Sequence, residues 1–140
     1  DPEMINALSN AAKSGVDVRI LMPGIPDKKL VFYLSRSYYK ELIQAGVKIY
    51  EYPAGFVHAK MCVADDETAI IGTANFDFRS LYLHYEDCVM IHNAPSIVAI
   101  RKDYDKTIVS SHLITLRDLK QRKTWEKVSA QILRLFAPLI

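Results

Sequence analysis

The 140-residue sequence has little of several features that would place it in a special class of protein. It has two cysteines, Cys62 and Cys88, and both lie in apolar runs. We therefore expect packed thiols rather than a disulfide framework, and a reducing, cytosolic setting. No apolar run approaches the roughly 18–20 residues that cross a bilayer, and the Asp1-Pro2-Glu3 start does not resemble a secretion signal. These absences predict a soluble chain that neither spans a membrane nor enters a secretory route.

The sequence also lacks an excess of charge of one sign, since its formal net charge is only +2. Residues 1–112 carry 12 Lys or Arg against 14 Asp or Glu, whereas residues 113–140 carry six against two. Binding of nucleic acid needs a dominant basic face, which the body does not have, so we expect no nucleic-acid partner. Half of the residues are hydrophobic, as in an ordinary domain with its own core.

Helix and strand signals alternate along the first half of the chain. Gly15 and Gly46 each end an apolar helical pattern and precede a β-branched run, so the sequence repeats the order helix, glycine, strand. The patterns predict helices over residues 2–14, 28–45 and 96–110, and strands over residues 16–22, 47–50, 56–64, 68–71 and 85–92. This order predicts an α/β fold with a mixed, largely parallel sheet flanked by helices, and with C-terminal helices appended.

The C-terminal segment, residues 113–140, is predicted to be basic, amphipathic and helical. Trp125, Val128, Ile132 and Leu135 form an apolar stripe at helical spacing. The simpler interpretation is that this stripe is the packed face of a terminal helix. The alternative is an interfacial helix, in which the neighbouring Lys and Arg side chains attract anionic lipid.

Residues 58–75 contain the polar pattern that carries chemistry. Alternation along the predicted strand places His58 and Lys60 on one face, and such a pair favours an anion rather than a dry core. Asp65 lies where that strand turns. The return strand then brings Thr73 and Asn75 back toward the first pair, where a hydroxyl and an amide can bind oxygen atoms of an anion.

These residue types suit phosphoryl transfer without a metal ion. A histidine can form or break the bond to phosphorus, while Lys60 and Asn75 stabilise the oxygens around it. We expect no metal site and no cofactor, because no Cys, His and Asp cluster has ligand spacing and the acids of residues 65–67 are typical of a solvated turn.

The pattern H-x-K-x4-D-x6-G-[ST]-x-N resembles the phospholipase D superfamily. The likeness extends over nearly the whole chain, to the C-terminal half of bacterial cardiolipin synthases. It is carried by residues 15–20, 35–38, 45–60, 72–80 and 134–139.

The resemblance implies roles for six residues. His58 would be one of two active-site histidines, and the general acid and base rather than the nucleophile if this is the C-terminal copy. Lys60, Thr73 and Asn75 would bind the substrate phosphate. Glu86 falls where the family keeps an acid that orients a histidine, and Asp65 would be a supporting ion-pair partner. Two roles stay equally open for Arg36: it binds a lipid phosphate, or it only solvates the surface of its helix.

Chemistry at a phosphodiester needs two such histidines, but the chain has one H-x-K. Residues 1–112 are therefore expected to be a half-domain that lacks its first strand, inactive without an N-terminal half that carries the second motif. The parent protein is expected at the cytoplasmic face of the cell membrane, transferring a phosphatidyl group between two phosphatidylglycerols through a phosphohistidine. Two alternatives stay open: a homodimeric phosphodiesterase or nuclease, and a non-catalytic module that binds anions or lipid headgroups.

Overall fold

The computed structural model describes residues 1–137, so Pro138 and Leu139 of the C-terminal resemblance lie outside the described residues. Helices and strands alternate through most of the chain. The helices are α1 (Pro2–Lys13), α2 (Lys29–Ser37), α3 (Tyr39–Gln44), α4 (Pro95–Val109), α5 (Leu116–Gln121) and α6 (Thr124–Leu135), with a π-helical turn at Arg79–Leu83. The strands are β1 (Arg19–Pro23), β2 (Lys48–Tyr52), β3 (Lys60–Ala64), β4 (Thr68–Gly72), β5 (Cys88–His92) and β6 (His112–Leu113).

The first sheet has the order β1-β2-β6. Its strands β1 and β2 are the strands of the two repeated helix, glycine, strand units. Asp1 caps α1 by accepting a hydrogen bond from the Met4 amide at 2.9 Å. Gly15 and Gly46 follow α1 and α3 with φ of +95° and +103°, a conformation that side chains with a Cβ rarely adopt. Both predicted glycine stops are confirmed, and they turn the chain into the parallel strands β1 and β2.

The second sheet is an antiparallel meander of β3, β4 and β5. The link between β3 and β4 is the predicted acidic turn, in which Asp65 and Asp66 have φ of +54° and +58° and the Glu67 amide donates to the Ala64 carbonyl at 3.0 Å. Two consecutive left-handed residues are typical of a tight hairpin, and aspartate tolerates that conformation better than most residues.

The α/β class is confirmed, but the share of parallel pairing is smaller than expected. Within residues 1–137 only β1 and β2 run parallel, and the other three strand pairs are antiparallel. The reason is local: no α-helix lies between β3 and β4 or between β4 and β5, where the only helical element described is the short π-helical turn, so each connection reverses the chain rather than crossing over the sheet.

Several predicted boundaries differ from the structure. The predicted helix over residues 28–45 is two helices that meet at Tyr38, where the hydroxyls of Ser35 and Ser37 bond back to backbone carbonyls, an arrangement that bends helices. The predicted strand over residues 56–64 begins only at Lys60. Because Lys60 pairs with Gly72, the last residue of β4, the residues before Lys60 have no strand beside them.

The C-terminal segment is packed onto the body by the side of α6 that the sequence did not indicate. Ala130 and Ala137 are buried, and α6 lies along α2. The predicted stripe is instead exposed, from 53% at Ile132 to 78% at Leu135, so the interpretation of the stripe as a packed face is wrong. The predicted division after residue 112 falls inside β6, and Ile114 belongs to the main core.

Two further predictions concern the burial of the two cysteines and the absence of a membrane-spanning helix. Cys62 and Cys88 are exposed rather than packed, because both lie on the face of the second sheet that also leaves Ile70 and Met90 exposed. Within residues 1–137, no helix is both long enough and apolar enough to cross a bilayer.

A buried carboxylate joins three elements beside the main core. Glu51 of β2, with a side chain only 10% exposed, pairs with Arg36 of α2 and lies 3.8 Å from the Arg122 guanidinium, between α5 and α6. Burial, with help from Glu51, raises the pKa of the neighbouring Tyr39 phenol above its ordinary value. Arg36 is therefore committed to an internal ion pair, and neither of the two roles considered for it from sequence is correct.

Removing the charge of Glu51 should destabilise the whole fold, because it leaves two largely buried guanidinium groups without their carboxylate. Glu51→Gln is expected to lower the free energy of unfolding by about 3 kcal/mol or more. The matched control Glu41→Gln, which breaks an exposed pair with Arg134, should cost less than about 1 kcal/mol. Urea denaturation followed by circular dichroism measures the free energy of unfolding of both variants. Equal losses would contradict the role of Glu51 as the carboxylate that joins Arg36 and Arg122 to β2.

Candidate active site

Three segments that are distant in sequence meet at one end of the second sheet. The backbone of Gly72 pairs with Lys60 on one side and with Cys88 on the other. Thr73, which follows Gly72, extends the pairing, since its amide donates to the Asp87 carbonyl at 3.0 Å. The start of β3, the end of β4 and the approach to β5 therefore bring the predicted polar residues to the same edge.

His58 and Lys60 lie at this edge, one just before β3 and one at its first position. The Lys60 ammonium donates to the His58 backbone carbonyl at 2.8 Å, which ties the two residues together. The imidazole is exposed, and its only described ring neighbour is Phe56, with centroids 5.5 Å apart. The side chain of His58 is therefore accessible to a substrate that enters from solvent.

Thr73 and Glu86 form a hydrogen-bonded pair across the β4–β5 junction. The Thr73 hydroxyl donates to a Glu86 carboxylate oxygen and accepts from the Asp87 amide at 3.0 Å. The bond from Thr73, followed by one from Ser80 and the nearby His84, lowers the pKa of Glu86 below its ordinary value. Glu86 is thus a fixed anion beside the phosphate-binding candidates.

Asn75 is held by a second set of contacts. Its amide nitrogen lies 3.4 Å from the hydroxyl of Ser80, a buried residue in the π-helical turn. The Ser80 amide in turn donates to the Asp77 carboxylate at 2.8 Å. Ser80 therefore connects Asn75 to Glu86 and orients both.

Asp65 is the one predicted site residue that the structure does not bring to this edge. It lies in the turn at the opposite end of β3, about 16 Å away along a five-residue strand. Within residues 1–137 it makes no described ion pair, whereas the adjacent Asp66 pairs with Arg101. The other five residues, His58, Lys60, Thr73, Asn75 and Glu86, converge.

Sequence reasoning missed two residues of this region, Ser80 and His84. Ser80 is a small polar residue in a run of mixed aromatic and charged residues, and nothing in its spacing indicates burial. His84 has no lysine two positions later, so no motif marks it. Its Nδ1 atom lies 3.5 Å from a Glu86 oxygen, so the histidine that Glu86 contacts in the described chain is His84 and not His58.

The arrangement combines an exposed imidazole, a cation and neutral donors around an open edge. Such a set can bind the oxygens of a phosphate ester, and its imidazole can transfer a proton or form a bond to phosphorus. Among the described residues, no group of three or more His, Cys, Asp or Glu side chains could hold a metal ion.

Comparison with known families places the chain in a family. A family profile described as cardiolipin synthase, PLD-like domain, matches residues 1–108, which include all five converging residues. The chain belongs to this family. The phospholipase D-like match therefore covers β1 to β5 and most of α4, and leaves out β6 and the C-terminal helices.

Curated relatives match across all 140 residues. This domain is 46% identical to an uncharacterized protein of Streptococcus mutans and 44% identical to a cardiolipin synthase of Geobacillus kaustophilus. It covers 100% of its own length in both comparisons but only 30% and 28% of the two relatives. The chain thus spans less than a third of the length of the curated relatives it matches.

A solved structure supports the phospholipase D-like fold. The crystal structure of Nuc from Salmonella typhimurium, a phospholipase D family member, superposes with a TM-score of 0.66. The alignment covers 81% of this chain and 74% of Nuc, at 19% sequence identity. The predicted phospholipase D-like fold is confirmed.

The Thr73–Glu86 bond can be tested through the acidity of Glu86. Thr73→Val removes the main hydrogen bond that stabilises the carboxylate, so the pKa of Glu86 should rise toward its ordinary value. Because the pKa of Glu86 is lowered in the folded state, its carboxylate stabilises the fold at neutral pH, and this stabilisation is lost as the pH falls through that pKa. The free energy of unfolding of Thr73→Val should therefore fall less on acidification than that of the unaltered chain. A carboxyl-carbon NMR titration measures the shift. Thr107→Val, whose hydroxyl bonds a backbone carbonyl, is the control, and an unshifted Glu86 in Thr73→Val would refute the assignment.

The close approach at Gly72 can be tested with a single methyl group. A Cβ at Gly72 would overlap the Asp87 carbonyl oxygen and lie 2.6 Å from the Cys88 sulfur, so Gly72→Ala must push β5 away from β4. We expect a loss of about 1–3 kcal/mol in the free energy of unfolding. Gly55→Ala is the control, because its Cβ would meet the Tyr52 ring at an ordinary 3.7 Å. Equal stability of the two variants in urea would show that the junction is not tightly packed.

Proposed function

We propose that this domain supplies one half of the active site of a cardiolipin synthase. The observation that carries the proposal is the convergence of His58, Lys60, Thr73 and Asn75 at one sheet edge, in a chain of the matching family. The substrate would be phosphatidylglycerol, and the reaction would transfer its phosphatidyl group to a second phosphatidylglycerol.

The transfer takes place in two steps at phosphorus. In the first step a histidine nitrogen attacks phosphorus and forms an N–P bond, while the P–O bond to glycerol breaks and the leaving glycerol oxygen receives a proton from a second histidine. In the second step that histidine removes a proton from the terminal glycerol hydroxyl of another phosphatidylglycerol, whose oxygen displaces the first histidine. Cardiolipin forms, and both histidines return to their starting states.

His58 is proposed as the proton donor and acceptor in these steps. Its exposed ring is suited to meet a substrate that enters from solvent. The Lys60 ammonium and the Asn75 amide would bind the phosphate oxygens, where negative charge concentrates as the bonds exchange. The single hydroxyl proton of Thr73 goes to Glu86, so Thr73 is proposed to fix that carboxylate beside the bound phosphate rather than to donate to the phosphate oxygens itself.

The nucleophilic histidine is proposed to come from an N-terminal half with a second H-x-K motif. The chain contains one such motif, and it matches 28% of the Geobacillus kaustophilus cardiolipin synthase, so most of that relative lies outside the match. The domain alone should therefore be inactive. A phosphatidylglycerol substrate also implies that the active protein works at the cytoplasmic face of the cell membrane.

Segment replacement tests the proposal directly. The matching 28% of the Geobacillus kaustophilus cardiolipin synthase is exchanged for this chain, and conversion of phosphatidylglycerol into cardiolipin and glycerol is measured. We expect activity in the chimera and a loss of at least about 1000-fold in its His58→Ala variant, because no other group replaces the proton carrier. His112→Ala, which removes an exposed histidine outside the site, should leave activity unchanged.

Two outcomes would contradict the proposal. One is an active chimera whose His58→Ala variant keeps full activity. The other is hydrolysis of bis(p-nitrophenyl) phosphate by the 140-residue chain alone, eluting as a dimer in size-exclusion chromatography, which would favour a homodimeric phosphodiesterase.

A further inference from the structure

The helix α6 is apolar on two opposite sides, and only one of them is covered. Ala130 is buried on the side of the body, as is Ala137 just after the helix, and α6 lies along α2. Val128, Ile132 and Leu135 lie on the other side of the helix and are 54%, 53% and 78% exposed. An ordinary surface helix presents polar residues there, so the exposed stripe needs a partner of its own.

Lysines gather at one end of the α2–α6 pair. The two helices run in the same direction, since the ring of Tyr33 in the middle of α2 is 6.0 Å from that of Trp125 near the start of α6, and Arg134 near the end of α6 lies over the Tyr38 ring at the end of α2. Both helices therefore begin at the same end of the pair. Lys28 caps α2 and is followed by Lys29, and Lys123 caps α6.

These three lysines do not serve the helices that they begin. Positive charge at a helix start opposes the helix dipole, and neither cap residue makes a side-chain capping bond. Within residues 1–137 none of the three forms a described ion pair, whereas Arg134 at the other end pairs with Glu41 at 3.1 Å. Unpaired cations beside an exposed apolar stripe are complementary to an anionic lipid surface.

We propose that the face formed by Trp125, Val128, Ile132 and Leu135, with Lys28, Lys29 and Lys123 at its edge, docks onto an anionic bilayer. We call it the α6 face. The apolar side chains enter the headgroup region, the lysines meet lipid phosphates, and Trp125 lies at headgroup depth, which is where tryptophan is enriched. The choice of phosphatidylglycerol as the anionic lipid rests on the proposed function, but the surface itself is separate from the catalytic edge.

Trp125 provides the measurement, because it is the only tryptophan of the chain. The 140-residue chain is mixed with vesicles of equimolar phosphatidylglycerol and phosphatidylcholine, and with vesicles of phosphatidylcholine alone. We expect a blue shift of the Trp125 emission with the mixed vesicles, quenching by lipids with brominated acyl chains, and several-fold weaker binding to phosphatidylcholine alone.

Two sets of variants separate the apolar and the charged contributions. Ile132→Glu should weaken vesicle binding about tenfold or more, since it places a charge where the docked chain buries an apolar side chain in the bilayer. Val109→Glu, an equal change at an exposed site on α4, should bind like the unaltered chain. The triple variant Lys28→Gln, Lys29→Gln and Lys123→Gln should lose the preference for phosphatidylglycerol. Circular dichroism confirms that each variant is folded.

Four results would overturn the inference. They are an unshifted Trp125 emission with anionic vesicles, unaltered binding by Ile132→Glu, equal binding to both vesicle types, and a blue shift without lipid that grows with protein concentration, which would identify a second copy as the partner. A fifth comes from the chimera. If Ile132→Glu lowers the thermal midpoint of the chimera but not that of the 140-residue chain, a segment of the longer protein covers the α6 face.

The docking surface and the proposed function can fail independently. Vesicle binding does not require turnover, so a normal Trp125 shift in the 140-residue chain, together with an active chimera whose His58→Ala variant keeps full activity, would refute the proposed function alone. An active chimera that depends on His58, together with an unshifted Trp125 in the 140-residue chain, would refute the docking surface alone.

Discussion

The candidate site depends on one close approach of backbones, at Gly72. This residue pairs with Lys60 of β3 and with Cys88 of β5, and it has no room for a side chain between them. The register set there decides which residues reach the edge. If β4 were shifted by one residue relative to β3 and β5, Thr73 would lie on the opposite face of the sheet. The chemistry proposed for His58 and Lys60 therefore rests on strand pairing more than on any contact between their side chains.

Much of the site could be predicted from sequence because its geometry is local. His58 lies only two residues before Lys60, the first residue of β3, and a tight turn at residues 65–66 returns the chain to the same edge. The parts that could not be predicted depend on residues far apart in the chain. The contact of Glu86 with His84 and the burial of Ser80 follow from the π-helical turn, for which the sequence pattern carries no signal.

The fold shows the same division between local and long-range information. Caps and glycine stops are local, so α1, α4 and both Gly15 and Gly46 agree with prediction. The packed side of α6 is decided by α2, which precedes it by some 90 residues, and helical periodicity cannot tell which of two apolar sides will be covered. The same limit applies to Arg36, whose ion pair with Glu51 joins two elements that no sequence pattern relates.

The hairpin turn at Asp65 and Asp66 has a practical consequence for experiments on this domain. Its two left-handed residues project from the sheet at the end away from His58, and Asp65 is exposed without a described ion pair within residues 1–137. A spectroscopic label attached there would report on the orientation of the second sheet without touching the groups proposed to bind phosphate. The distance between the motif aspartate and the histidine thus makes this turn a natural place for a probe of how the domain sits against its neighbours.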